Sequence, residues 1–260
     1  MTIDSNRSLT KDSLESRLFI LTRYVFLVIL SMKNQGYFGA ANCHKNTIKD
    51  LGSRSRRMGM MRNKRYDYIV VGTGPGGGTI AKEPADGKRS VLIVEIGPHM
   101  TKTGFMKAAR KAFMGKDKGV LRSDGDIWIG RAQILGGSSY VAMGNAATPP
   151  DKILNEWGLD LSKELESARI DLHVIPMPEK FMGEGTKRIN DAADSLDWEM
   201  TPTPKCVDFV KCIKCGLCMF GCPTGAKWTS LEFIDEALAN GAELLLETEV
   251  KRVNQKNGKT

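Results

Sequence analysis

Two short, unbroken apolar runs dominate the pattern of the chain. Tyr68-Ile-Val-Val71 stops at a glycine turn, and Ser90-Val-Leu-Ile-Val-Glu95 follows about 20 residues later. Runs that are apolar without alternation read as strands covered on both faces of a parallel sheet. Between them, a helix is expected from about Gly76, closing at the turn Asp86-Gly87. This makes a strand–helix–strand unit. Pro84 sits badly in that helix. It has no N–H for Ile80 O, at a cost of about 3 kcal/mol in a helix interior, so the helix either ends early or is weakened.

Toward the end of the chain, Leu231, Ile234 and Leu238 share one helical face. Thr229 and Glu232 stand at capping-box spacing before that face, and Asn240-Gly241 is a stop signal. Leu244–Val253 then reads as a strand. Residues 102–125 are basic and mixed. Pro149-Pro150 marks a boundary, and residues 151–205 combine helical charge patterns with scattered prolines. We therefore expect an α/β fold with a parallel sheet, interrupted by a second, smaller region. Residues 66–150 form its first part, 151–205 the start of a cap or substrate region, 206–228 a cysteine-rich loop, and 229–260 the return into the first domain.

Residues 1–65 differ from the rest. They hold 13 Lys/Arg against 4 Asp/Glu, while residues 66–260 hold 25 against 26. The chain's net charge of +8 thus belongs to the extension, and the body is close to neutral. No basic stripe interleaved with aromatics runs through the body, so nucleic-acid binding is not expected. The apolar run Leu18–Leu30 is shorter than the ~20 residues of a membrane span, and Arg23 interrupts it. Asp12 and Glu15 dilute its positive flank, and no small-residue cleavage site follows closely. A membrane role is disfavoured. The segment reads as a dispensable extension, or as upstream sequence translated from a wrong start, with Met58, Met60 and Met61 near a later one. Cys43 and His44 are assigned nothing.

Two motifs carry chemistry. In Gly72-x-Gly74-x-x-Gly77 the first glycine permits a tight turn, the second lets backbone approach a pyrophosphate, and the third lets helix pack on strand. The helix N-terminus offers free N–H donors to the diphosphate. Glu95, 18 residues after Gly77 at a strand end, has the position and chemistry to accept hydrogen bonds from ribose hydroxyls. The second motif is Cys212-x-x-Cys215-x-x-Cys218-x-x-x-Cys222-Pro223, the ligand spacing of ferredoxin-type iron–sulfur sites. In two-cluster ferredoxins the fourth cysteine of such a run serves the other cluster, and no second run exists here. The fourth thiolate would come from Cys222 or from Cys206, six residues upstream of Cys212. A [4Fe–4S] cluster is the leading reading, with a metal-free loop and zinc still open; structural zinc usually uses two separated pairs. Clustered thiols point to a reducing compartment, with the cytoplasm as the default. Trp128, Trp157, Trp198 and Trp228 are expected in core or rim packing. Ser138 and Ser139 lack the setting of a hydrolase nucleophile.

The run Tyr66–Gly78, then Val91–Gly97, resembles the opening FAD fingerprint of the glucose–methanol–choline (GMC) oxidoreductases. Gly136-Gly137-Ser138-Ser139, preceded by Gly130, resembles the family's second flavin-contacting segment. The closing helix and strand, with Val250 near the centre, resemble the return segment whose backbone contacts adenine. The cysteine loop, continuing into Gly225-Ala-Lys227, resembles a cysteine-rich branch of the family. Where members often carry asparagine three residues after the second serine, this chain has Ala142, with Asn145 three further on. His44, His99 and His173 match neither position of the family's catalytic histidine pair, which lies near the end of longer chains. No catalytic residue is therefore assigned.

The resemblance implies the FAD-binding portion of an alcohol dehydrogenase. Hydride would pass from a CH–OH group to flavin, and electrons would leave through the cluster to an acceptor protein or small carrier. A second chain would supply the catalytic half. The alternatives are an electron-transfer subunit without substrate chemistry, or an inactive truncated product.

Overall fold

The computed structural model describes residues 64–254, apart from 102, 105, 107–109, 111 and 113–119. The extension with its apolar run, Cys43, His44 and early methionines lies outside the described residues.

Strand β1 (Tyr68–Val71) pairs in parallel with β2 (Val91–Val94), and β2 pairs in parallel with β7 (Glu243–Leu245). Asp67 and Ser90 lock the start of the β1–β2 pair. The Ser90 N–H and Oγ both donate to Asp67 Oδ2, and the Asp67 N–H donates to Ser90 Oγ. Helices α1 (Pro75–Asp86) and α5 (Leu231–Ala239) pack on one sheet face. Val70, Val91, Ile93 and Leu244 from the strands meet Ala81, Ala85, Ile234 and Ala237 from the helices there, with Leu231 and Leu238 at the margin. Alanines on α1 keep the helix close to the sheet. The apolar face read from Leu231, Ile234 and Leu238 is the one that packs.

Helix α1 begins with Pro75, whose missing N–H costs nothing in the first turn, and runs through Pro84 without ending early. The weakened helix is the outcome of the two expected. Helix α5 ends as read: Gly241 takes φ +95°, its N–H donates to Leu238 O at 3.1 Å, and the Ala242 N–H reaches Ala237 O at 2.9 Å. Its start differs. Ser230, not Thr229, directly precedes the helix and its side chain does not cap it, while the Glu232 carboxylate accepts from Thr229 N–H, one half of the capping box expected there.

The expected strand over Leu244–Val253 is shortened to Glu243–Leu245. Past Val94 the regular register is lost, and only scattered bonds persist: Glu95 N–H to Leu245 O, Thr248 N–H to Glu95 O and Glu247 N–H to Gly97 O, with Glu247 at φ +51°. β1 departs from expectation too. Tyr68, Ile69 and Val71 are 45, 61 and 59% exposed, so among the described residues this strand forms an open edge rather than a covered centre.

Outside the sheet, β3 (Val120–Arg122) and β4 (Trp128–Gly130) form a hairpin. Helices α2 (Asp151–Glu156), α3 (Ser162–Asp171) and α4 (Glu184–Asp194) occupy the second region, α2 starting directly after Pro150. Strand β5 (Val174–Pro176) pairs antiparallel with β6 (Pro204–Cys206), which also holds residues 144–146 through Cys206 N–H to Gly144 O and Ala146 N–H to Pro204 O. Trp228 packs edge-to-face on Phe233, but Trp128, Trp157 and Trp198 are 68, 49 and 67% exposed and leave the packing expected of them. Among the described residues, no helix is long and apolar enough to cross a membrane.

Replacing Pro84 restores the donor for Ile80 O. We predict that Pro84→Ala raises unfolding stability by about 2 kcal/mol, read from urea melts. An unchanged or lower midpoint would show that the helix has already absorbed the proline.

Candidate cofactor site and thiol cavity

The glycine turn takes the geometry its spacing implies. Gly72 adopts φ +93°, and its N–H donates to Val94 O at 2.8 Å. A Cβ on Gly77 would run into Gly72 O, so the third glycine is what lets α1 start against β1. A further glycine, Gly78, is required for a reason no local spacing reveals: a Cβ there would strike Ser230 Oγ at the head of α5. The Ser230 hydroxyl donates to Gly74 O at 3.0 Å, and its N–H donates to Ser139 Oγ at 3.0 Å. Ser230 thus joins the glycine turn, α5 and the second glycine segment.

That second segment is a 3₁₀ turn, Gly137–Tyr140, entered through Gly136 in the left-handed region at φ +90°. A Cβ on Gly137 would lie 2.7 Å from Gly74 Cα, so bare backbone faces bare backbone across the two glycine motifs. Ser138 Oγ accepts from the Ala132 N–H at 3.1 Å, leaving its hydroxyl in a local structural role.

Thr73 and Glu95 hold these pieces in register. Both are buried. The Thr73 N–H and hydroxyl donate to Glu95 Oε2 at 2.9 and 2.6 Å, and Gly97 N–H donates to Glu95 Oε1 at 2.8 Å. Thr73 Oγ1 in turn accepts from Gly136 N–H at 3.0 Å. Glu95 therefore already serves three protein donors, which sequence reading did not anticipate. A lone pair on Oε1 is what a ribose hydroxyl would use. The return segment passes alongside: Thr248 N–H donates to Glu95 O at 3.0 Å, and Val250, two residues on, is 38% exposed.

The five described cysteines carry free thiols. Cys212, Cys215, Cys218 and Cys222 line one cavity of about 220 Å³, with Met143, Phe181 and Phe209 among its apolar walls. Lys205, Lys214 and Lys227 also line it, and no carboxylate does among the described residues. Cys206 is not part of this lining. It is buried on the other side of β6, where burial and then Glu232 push its thiol pKa up. Lys205 and Val207 face the cavity instead, as strand alternation requires. Of the two candidates for a fourth thiolate, the fold brings Cys222 to the other three and leaves Cys206 out. Among the described residues, no three His, Cys, Asp or Glu side chains are gathered tightly enough to hold a metal ion.

The thiols are not equivalent. Burial raises the Cys218 thiol, partly countered by Lys227. Cys222 also pays for burial, but the Thr224 hydroxyl and the N–H groups of Lys227, Thr224 and Ala226 outweigh it and lower the thiol. The loop is pinned from behind. Gly104 N–H donates to Phe220 O at 2.8 Å, Thr103 Oγ1 to Cys222 O at 3.1 Å, and a Cβ on Gly221 would lie 2.6 Å from the Tyr140 ring.

Lys227, only 3% exposed, donates from Nζ to the carbonyls of Ser139, Tyr140 and Ala142 at 2.7, 2.9 and 2.7 Å. Burial lowers its pKa from 10.5 to about 8, with Cys218 and Cys222 opposing the shift. Ala142 contributes its carbonyl here, and the Asn145 side chain is engaged by Lys205. Neither remaining histidine joins a site. His173 is exposed beside Glu232 at 3.8 Å, and His99 lies half-buried, its pKa lowered by burial.

A parallel sheet with a glycine turn at a strand's carboxyl end, backed by a second glycine segment, defines a dinucleotide-binding α/β protein. The family profile described as GMC oxidoreductase matches residues 66–260, and the chain belongs to that family. The matched region is the family's N-terminal portion, and membership implies FAD binding. An uncharacterized GMC-type oxidoreductase of Mycobacterium tuberculosis is 28% identical over 214 residues, covering 75% of this chain and 33% of that protein. A long-chain-alcohol oxidase of Arabidopsis thaliana is 27% identical over 201 residues, covering 72% and 27%. The chain thus spans about a third of the length of these relatives. Among solved structures, pyridoxine 4-oxidase from Mesorbium loti is similar in fold, with a TM-score of 0.51 at 15% identity, covering 74% of this chain and 44% of that one.

The lowered pKa of Lys227 fixes a pH dependence. Below pH 8 the amine is protonated folded and unfolded, and burial costs stability in full. Between pH 8 and 10.5 the unfolded chain holds the proton that the folded chain has released, so stability rises with pH, by ~3 kcal/mol from this group. We predict that the urea midpoint of the metal-free chain gains on that of Lys227→Met between pH 7.5 and pH 10. A constant difference would contradict the assignment.

Proposed function

We propose that this chain is the FAD-binding portion of an oxidoreductase acting on CH–OH groups, with electrons leaving through an iron–sulfur centre in the cysteine loop. The carrying observation is that the Gly137–Tyr140 turn packs against the glycine turn on one side and the cysteine loop on the other. The residues fit a dinucleotide. Gly72 and Gly74 leave backbone open at the head of α1, Gly77 lets the helix start against the strand, Gly137 faces Gly74 without a side chain, and the Glu95–Thr248 neighbourhood lies at the strand end. FAD, when bound, supplies the hydride acceptor. Ser138 and the neighbouring backbone shape the second segment.

The cysteine loop fits a polynuclear centre better than a single ion. The four thiols are spread around a cavity rather than gathered at a point, and three lysines oppose the negative charge of a metal–thiolate group. The ligands we assign are Cys212, Cys215, Cys218 and Cys222. An alcohol substrate rests on the kinship with long-chain-alcohol oxidases. We assign no general base within the described residues. The open β1 edge, with Ile69 and Val71 exposed, is where polypeptide corresponding to the remainder of the relatives would add to the sheet and bring the catalytic groups. A separate electron acceptor would complete the reaction.

The test is anaerobic reconstitution of the full chain with FAD, ferrous iron and sulfide, followed by gel filtration and assay of bound flavin, iron and sulfide. Both cofactors should be retained. Gly137→Ala should lower FAD affinity by about tenfold or more, because its Cβ closes the gap to Gly74, while leaving iron uptake intact. Colourless protein would end both assignments, and an unchanged flavin affinity in Gly137→Ala would end the placement.

A further inference from the structure

Lys227 has a position that neither binding site explains alone. Among the described residues it is the only buried lysine or arginine, and no carboxylate pairs with it. Its ammonium has three hydrogens to donate, and the three carbonyls of Ser139, Tyr140 and Ala142 take one each. Those carbonyls belong to the end of the turn that faces the glycine motif and to the residues just after it. The backbone of the same residue belongs to the cysteine loop: it bridges Val207, and its N–H is directed to Cys222 Sγ. Its side chain also fills the space beside Gly144, where a Cβ would lie 3.1 Å from Lys227 Cγ. A buried charge held only by carbonyl dipoles is poorly compensated, and the negative charge available nearby is that of the thiols around the cavity.

We propose that Lys227 is a positioning residue that couples the occupancy of the thiol cavity to the order of the Ser139–Ala142 segment. This rests on the reading that the cavity holds an iron–sulfur centre and that the neighbouring turn faces flavin. An anionic iron–thiolate group in the cavity supplies the missing counter-charge and holds the ammonium on its three carbonyls. That fixes the flavin-facing turn. The same ammonium stabilises the more negative, reduced state of the group, because added negative charge interacts favourably with a nearby fixed positive one.

Two measurements on the full chain test this. The first is hydrogen exchange of the Tyr140, Val141 and Ala142 amides in the wild-type chain, without FAD, before and after reconstitution with ferrous iron and sulfide. Exchange should slow by about tenfold or more after loading. The second is the reduction potential of the loaded chain, compared between wild type and Lys227→Met. The variant should be about tenfold harder to reduce, a fall of about 59 mV for one electron. Lys227→Arg should recover most of that shift by restoring the charge. Iron retained with unchanged exchange at these amides, or with an unchanged potential in Lys227→Met, overturns the coupling while leaving the cofactor assignment standing. Failure of the wild type to retain iron overturns both. Should Lys227→Met not fold, the wild-type exchange comparison decides alone.

Discussion

One buried side-chain contact sets the register of the whole site: the Thr73 hydroxyl on the Glu95 carboxylate, with Gly136 N–H on the same hydroxyl oxygen. Both side chains are buried, so each unmade bond would cost the desolvation of a polar group, and a carboxylate there tolerates few alternatives. The contact ties the turn after β1 to the end of β2 and to the second glycine motif. The close approach of Gly74 to Gly137, and the seat of Ser230 between them, follow from that register. Two glycine motifs about 60 residues apart in sequence become one backbone surface.

The parts of this arrangement that were legible in the sequence are those with local causes. The strand over Tyr68–Val71 (though not its expected cover on both faces), the Gly72–Gly77 turn, the α5 face and the stop at Asn240-Gly241 all follow from nearest-neighbour geometry and are found in the structure. What was not legible depends on partners far along the chain. Gly78 looks redundant until Ser230, some 150 residues later, is placed against it. Glu95 reads as a ribose acceptor, yet its three donors come from Thr73 and Gly97. The strand expected to reach Val253 loses its regular register after Leu245, where Glu247 turns to φ +51° and only isolated bonds to Glu95 and Gly97 remain. Cys206 is close in sequence to the other thiols and points away from them, because strand alternation overrules proximity.

Ile69 and Val71 are exposed on β1, which among the described residues is an edge strand with unpaired backbone groups, and Trp128 is exposed on the separate β3–β4 hairpin. The side of the sheet that carries α1 and α5 is well packed, with Ile93, Ile234 and Leu244 almost fully buried. Packing among the described residues is therefore concentrated on that side of the sheet.

The central claim is that the two glycine motifs form a single surface for an adenine dinucleotide. The most direct measurement is amide chemical-shift mapping of the isotopically labelled chain titrated with FAD. The account predicts that the largest shifts fall at Gly72–Gly77, Gly136–Ser139 and around Glu95 and Thr248. Shifts confined to other segments, or none at saturating flavin, would contradict it.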